Sequence, residues 1–181
     1  IETPSRNALN QARQSFKIAG ASVVEHRLPE KFSSHFACLE KILAYECALN
    51  HGNDRDSHGD LMSARMRQIV DDGRQTNEAD YRTALEEAKY YRDTLLKLLS
   101  GNTLILAAPA DSVAPLISET GTGSNQLQGL WSLTWLPVLA VPIGKAHRLP
   151  IGVQLIASDG REDLLLSSCS LIAHHQKILP V

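Results

Sequence analysis

In the stretch ISETGTGSNQLQGLW, Ile117 to Trp131, glycines alternate with small hydroxyl residues ahead of a Trp-bearing amphipathic segment. Residues of this kind serve three chemistries: cradling a phosphate, holding a nucleophile, or lining a pocket. A dinucleotide cradle needs G-x-G-x-x-G directly between strand and helix, so that backbone amides and a helix N-terminus meet the pyrophosphate. Gly121 and Gly123 fit the first two positions, but Gln126 stands at the third. The nearest strand-like run also ends about ten residues earlier, too far for so tight a turn. A G-x-x-x-x-G-K-[ST] loop fails too, because Gly144-Lys145 lacks that context. The hydrolase elbow G-x-S-x-G is absent, since Ser124 follows Gly123 directly. Ser124, with Asn125 as its rival, is better placed to cap the Gln126–Trp131 segment.

Metal ligation fares no better. His174 and His175 are adjacent, so on a helix they point about 100° apart. The run NHGNDRDSHGD offers His51, Asp54, Asp56, His58 and Asp60, but fits neither calcium-loop order nor zinc spacing. It reads as a solvated loop. Glu40 and Glu46 flank an apolar helical stripe, either as ordinary surface charges or as partly buried, partnered carboxylates. Trp131 and Trp135 share a face if their helix runs that far, and would serve there as core packing or as the wall of a pocket.

These residues sit in a chain of 181 residues, long enough to bury one core, and a single domain over 1–181 is expected. With 43% hydrophobic and 21% charged residues it is ordinary for a globular fold. A net charge of −2 and a pI near 6.4 give no electrostatic case for nucleic acid. No apolar run approaches the roughly 20 residues of a membrane span, and the start lacks a signal-peptide pattern. Cys38, Cys47 and Cys169 are odd in number and widely spaced, which points to a reducing, cytoplasmic setting. Without an initiator Met, the chain reads as a processed product or a fragment.

The elements that must position the candidate residues follow from periodicity. Leu9, Ala12, Phe16 and Ala19 mark a helix stopped by Gly20, and ASVVEHRLP reads as a short strand. Phe32, Phe36, Leu39, Leu43 and Cys47 place a helix over Glu30–Asn50. After the polar loop, Met62, Met66, Ile69 and Val70 mark a shorter helix ending near Gly73. The stripe Tyr81, Ala84, Leu85, Ala88, Tyr91, Leu95, Leu98 and Leu99 predicts a long helix between Asn77 and Gly101. TLILAAP reads as a buried strand. PVLAVPIG and PIGVQLIAS flank KAHRL as an antiparallel hairpin, with Pro142 at an edge or a bulge. A final helix after SDGRED buries Leu164, Leu165, Cys169 and Ile172. The sum is an α/β fold, a mixed β-sheet flanked by helices. About four strands is thin against a typical ~5–6, so the sheet reads as incomplete.

The C-terminal third resembles the C-terminal region of amidase signature enzymes. That region runs from a Thr-Gly turn through a Trp-Thr-type helix and Pro to a Val-Pro-hydrophobic-Gly strand. A Leu-Pro-hydrophobic-Gly-hydrophobic-Gln-hydrophobic strand and an acidic-Leu-Leu helix complete it. Here these are Thr120-Gly121, Trp131-Ser132, Pro137, Val141-Pro142-Ile143-Gly144, Leu149 to Leu155, and Asp163 to Leu165. AGASVVEHRLPEKF, AYECALNHG, IVDDGRQTNEADYRTALEEAKYYRDTL and LILAAPADSVAP are similar to upstream parts of the same family. Trp135 departs from the pattern, where the family usually has Gly.

That family's catalysis uses a Lys, a Ser held by a cis peptide and a nucleophilic Ser in a Gly/Ser-rich signature, all upstream of the region matched. No such signature occurs here, and a nucleophile needs its base and oxyanion donors in one place. The resemblance thus implies part of a hydrolase of carbon–nitrogen amide bonds, inactive alone, with no catalytic residue, cofactor or metal of its own. Thr120, Gly121 and Trp131 would neighbour the substrate cleft. Its partners would be a small-molecule amide and an N-terminal catalytic half, with no nucleic acid and no membrane. The competing expectation is a non-catalytic binding or structural module that self-associates through an open sheet edge. A metalloprotein built on the loop histidines is third.

Overall fold

Pro4 sits in the first turn of α1 (Thr3–Ile18), where its missing N–H is no loss, and Gly20 at φ +88° ends the helix. The computed structural model describes residues 1–118 and 123–175. The chain forms two units, Ile1–Leu28 with Thr94–Val181, and Pro29–Asp93.

The Pro29–Asp93 unit is helical. A 3₁₀ turn over Glu30–Ser34 leads into α2 (His35–His58), followed by α3 (Ala64–Gln75) and most of α4 (Glu78–Leu98). The expected polar loop at 50–60 is instead, as far as His58, the last part of α2. Its charges are satisfied by α3: Arg55 Nη2 meets Asp71 Oδ2 at 2.9 Å, and Arg74 Nη2 meets Asp56 Oδ2 and the Gly52 carbonyl at 2.8 Å. A Cβ on Gly73 would collide with the Ala44 carbonyl, so glycine permits this close helix pairing. Ser63 caps α3, its Oγ accepting from the Met66 amide at 3.2 Å, which leaves Met62 outside the helix. Phe32 packs on Tyr91 at 4.9 Å between ring centroids, and the buried Cys38 thiol donates to the Ala84 carbonyl at 3.1 Å.

In the other unit, β1 (Ile105–Ala107), β2 (Val138–Ala146) and β3 (Leu149–Ile156) form a sheet of order β1-β3-β2. The α/β class expected from the sequence is observed, though both pairings among the described residues are antiparallel rather than mixed. The strand expected within residues 21–29 does not form. Val24 is 80% exposed there, and no strand pairs with the segment among the described residues. The β2–β3 hairpin forms as expected, with its irregularity between Pro142 and Gly144. A Cβ on Gly152 would lie 2.5 Å from the Val141 carbonyl oxygen, so glycine is required opposite that bulge. Ala8 and Ala12 of α1 and Leu165 and Ile172 of α6 (Glu162–His175) bury against Val141, Ile143, Val153 and Leu155. Leu164 and Cys169, also expected in the α6 stripe, are partly buried.

Candidate substrate-facing cavity

Strand pleating decides what the other side of the sheet offers. Val153 and Leu155 belong to the core, so Gln154 between them faces the opposite side, beside its β2 register partner Ala140. The Gln154 Nε2 group donates to the Ala108 carbonyl at 2.9 Å and to the Leu127 carbonyl at 3.3 Å. With both donors committed, the amide orientation is fixed and Oε1 is the remaining acceptor, without a partner among the described residues. Gln154 is 3% exposed and lines a cavity of about 600 Å³.

The cavity's aromatic wall comes from α5 (Gln126–Thr134) and its cap. Asn125 occupies the N-cap position without a side-chain cap bond, while the Gln126 amide donates to Ser124 Oγ at 3.3 Å. The two expected rivals thus divide the role, one by position and one by hydrogen bond. Trp131 is buried in α5, with its Nε1 atom sealed from solvent and unpaired among the described residues. The helix does not continue through Trp135. It ends at Thr134, whose hydroxyl donates to the Leu130 carbonyl at 2.8 Å, and Trp135 follows in the left-handed region at φ 52° and ψ 32°. Glycine adopts that conformation without a Cβ penalty, so the Gly that the resemblance leads one to expect at this position would fit it better than Trp135 does. Trp135 is 81% exposed, and both indoles line the cavity.

Asp159 and Glu162 also line it, and among the described residues that line it there is no Lys, Arg or His. Arg161, between them in sequence, is bound elsewhere: to the Gly101 carbonyl at 2.7 Å, Asn102 Oδ1 at 3.1 Å and Asp163 Oδ1 at 3.1 Å. The hydrogen bond from Arg161 holds the Asp163 carboxyl below its ordinary value.

Of the three sequence-derived cleft residues, Trp131 lines this cavity, whereas Thr120 and Gly121 lie outside the described residues. The side chains of His174 and His175 also lie outside them. Ser124 Oγ meets the Gln126 amide and no base among the described residues. Glu46 is a surface carboxylate after all, accepting from the Tyr81 hydroxyl at 2.9 Å, and Glu40 lies 3.9 Å from Arg65. His51 contacts Asp54 at 3.4 Å, and no metal-binding group of three or more His, Cys, Asp or Glu occurs among the described residues. All three cysteines are free of disulfides, and among the described residues no helix is long and apolar enough to cross a membrane. Gln154, Asp159 and Glu162 were not singled out by sequence reasoning. The available signal was a glutamine inside the apolar strand IGVQLIA.

Comparison with known proteins identifies the fold. A solved amidase superimposes with a TM-score of 0.83 at 24% identity, over 94% of this chain and 42% of that one. A 6-aminohexanoate cyclic dimer hydrolase gives 0.78 at 20% identity, over 97% and 42%. A bacterial aryl acylamidase of the amidase signature family gives 0.75 at 13% identity, over 94% and 40%. Neither a family model nor a curated protein matches by sequence. The fold is therefore that of part of an amidase signature enzyme. The chain spans about two fifths of the length of each of these structures.

Proposed function

We propose that this chain forms the substrate-facing wall of an amidase-like hydrolase that cleaves carbon–nitrogen amide bonds, with its Ser-Ser-Lys machinery outside residues 1–181. The observation that carries this reading is the cavity walled by Trp131, Trp135 and Gln154, set in a fold shared with amidases. Pockets with apolar and aromatic walls and a few placed polar groups hold and orient small ligands. In the reaction so assigned, a serine hydroxyl elsewhere adds to the amide carbon and the amine leaves with a proton. Water then releases the acid from the acyl-enzyme. Trp131, Thr120 and Gly121 contribute fit to that substrate, and no bond-breaking step is assigned to them. The natural complement of the chain is then the catalytic half of the same enzyme.

A second reading, a non-catalytic module that self-associates, draws on β2, which pairs only with β3 among the described residues. Two measurements separate the readings. Hydrolysis of a panel of aliphatic and aryl amides is assayed with residues 1–181 alone and with the intact polypeptide in which they occur. Activity confined to the intact polypeptide supports the first reading. An inactive intact polypeptide, with residues 1–181 sedimenting as a dimer, supports the second.

A further inference from the structure

We propose that the cavity beneath α5 is a subsite for an aromatic ring that carries a hydrogen-bond donor, a hydroxyl or an N–H. That the ring belongs to an amide substrate, away from the bond cleaved, rests on the reading above. The binding itself does not.

Gln154 sets the need for a donor. The residue is 3% exposed, lines the cavity, and has both Nε2 hydrogen bonds turned to the Ala108 and Leu127 carbonyls. Those bonds fix the amide, so Gln154 cannot turn to offer a donor of its own to the cavity. Oε1 has no partner among the described residues, yet it is not one of the unpaired atoms sealed from solvent. It therefore opens on the space that the residue lines. Water can serve such an acceptor in the free protein, and the O–H or N–H of a ligand takes the same place.

Trp135 sets the need for a ring. Its indole lines the cavity while standing 81% exposed, on backbone at φ 52° that is costly for a residue with a Cβ. Strained residues of this kind cluster at ligand sites. Trp131, one turn earlier, is buried and gives the same wall a second indole, with Pro109, Leu136 and Pro137 also in the lining. An aromatic ligand gains from ring–ring contact with such a wall what an aliphatic one of equal area does not.

The test uses the intact polypeptide in which residues 1–181 occur, labelled with 5-fluorotryptophan. The Trp135 fluorine resonance is identified as the one lost in Trp135→Gly. Three probes, all uncharged at neutral pH, are titrated. Phenol has ring and donor, anisole has the ring without the donor, and cyclohexanol has the donor without the ring. The expected result is a saturable shift of the Trp135 resonance with phenol, and binding about 2–10-fold weaker for each of the other two. Gln154→Met removes the acceptor at similar length and should bring phenol down to the level of anisole. Far-ultraviolet circular dichroism checks its fold. Should that variant not fold, the comparison of phenol with anisole in the parent decides the need for a donor. The proposal is overturned if the Trp135 resonance does not respond to phenol, as when another part of the polypeptide fills the cavity. It is overturned equally if anisole or cyclohexanol binds as tightly as phenol, or if folded Gln154→Met keeps the preference for phenol. Hydrolysis is not read, so these outcomes leave the amidase-like reading standing. An inactive intact polypeptide whose Trp135 responds to phenol overturns that reading alone.

Discussion

Replacing Trp135 with glycine and, separately, with alanine isolates the backbone strain at the end of α5. Both variants lose the indole, so its packing cancels when the two are compared. They differ in what the left-handed conformation at φ 52° costs. A residue with a Cβ pays about 1–2 kcal/mol there. Glycine avoids that cost but loses roughly 0.5–1 kcal/mol more chain entropy on folding. Taken between the midpoints of those ranges, the difference leaves Trp135→Gly more stable than Trp135→Ala by about 0.5–1 kcal/mol. In a chain of this size that corresponds to roughly 1–4 °C in melting temperature. Thermal unfolding by circular dichroism at neutral pH resolves the gap, and urea titration gives it as free energy. An alanine variant as stable as the glycine variant, or more so, refutes the left-handed cap.

Gly152→Ala puts a Cβ 2.5 Å from the Val141 carbonyl oxygen, so urea unfolding should show a loss of roughly 1–3 kcal/mol. Asp71 is held below the ordinary carboxylate range by its hydrogen bond from Arg55. Its stabilising contribution is therefore present above pH ~4 and lost as pH falls through the lowered folded-state value, so Asp71→Asn should flatten the acid limb of a melting-temperature profile. Burial pushes the Cys38 thiol up to about 11, and the group is 4% exposed. An aromatic disulfide reagent at pH 8 should spare Cys38 in the native protein and modify it in urea, as peptide mapping would show.

The elements legible in the sequence were those whose stabilisation is local or periodic. Leu95 and Leu99 recur at helical spacing, and they are buried where the stripe places them. The hairpin carried its own punctuation, since Pro142 cannot continue a regular ladder and lies at the irregularity. What was missed depended on distant partners. The polar residues 50–58 resemble a loop until Asp71 and Arg74 of α3 supply their counter-charges. Residues 21–29 have strand composition, but a strand exists only where another accepts its hydrogen bonds. At the cavity, Trp131 was legible from its helix, whereas the left-handed backbone of Trp135 reverses the ordinary preference of a bulky residue. Gln154 was hidden in an apolar motif because the pleat, and not its neighbours in sequence, turns it away from the core.

The central claim is that these residues shape an amide-hydrolysing cleft whose nucleophile lies elsewhere. Its most direct test is to treat the intact polypeptide in which residues 1–181 occur with a serine-directed fluorophosphonate and map the adduct by mass spectrometry. The account predicts one modified serine, outside residues 1–181, with Ser124 and Ser132 unmodified. An adduct on a serine within this chain, or no adduct at all, would contradict it.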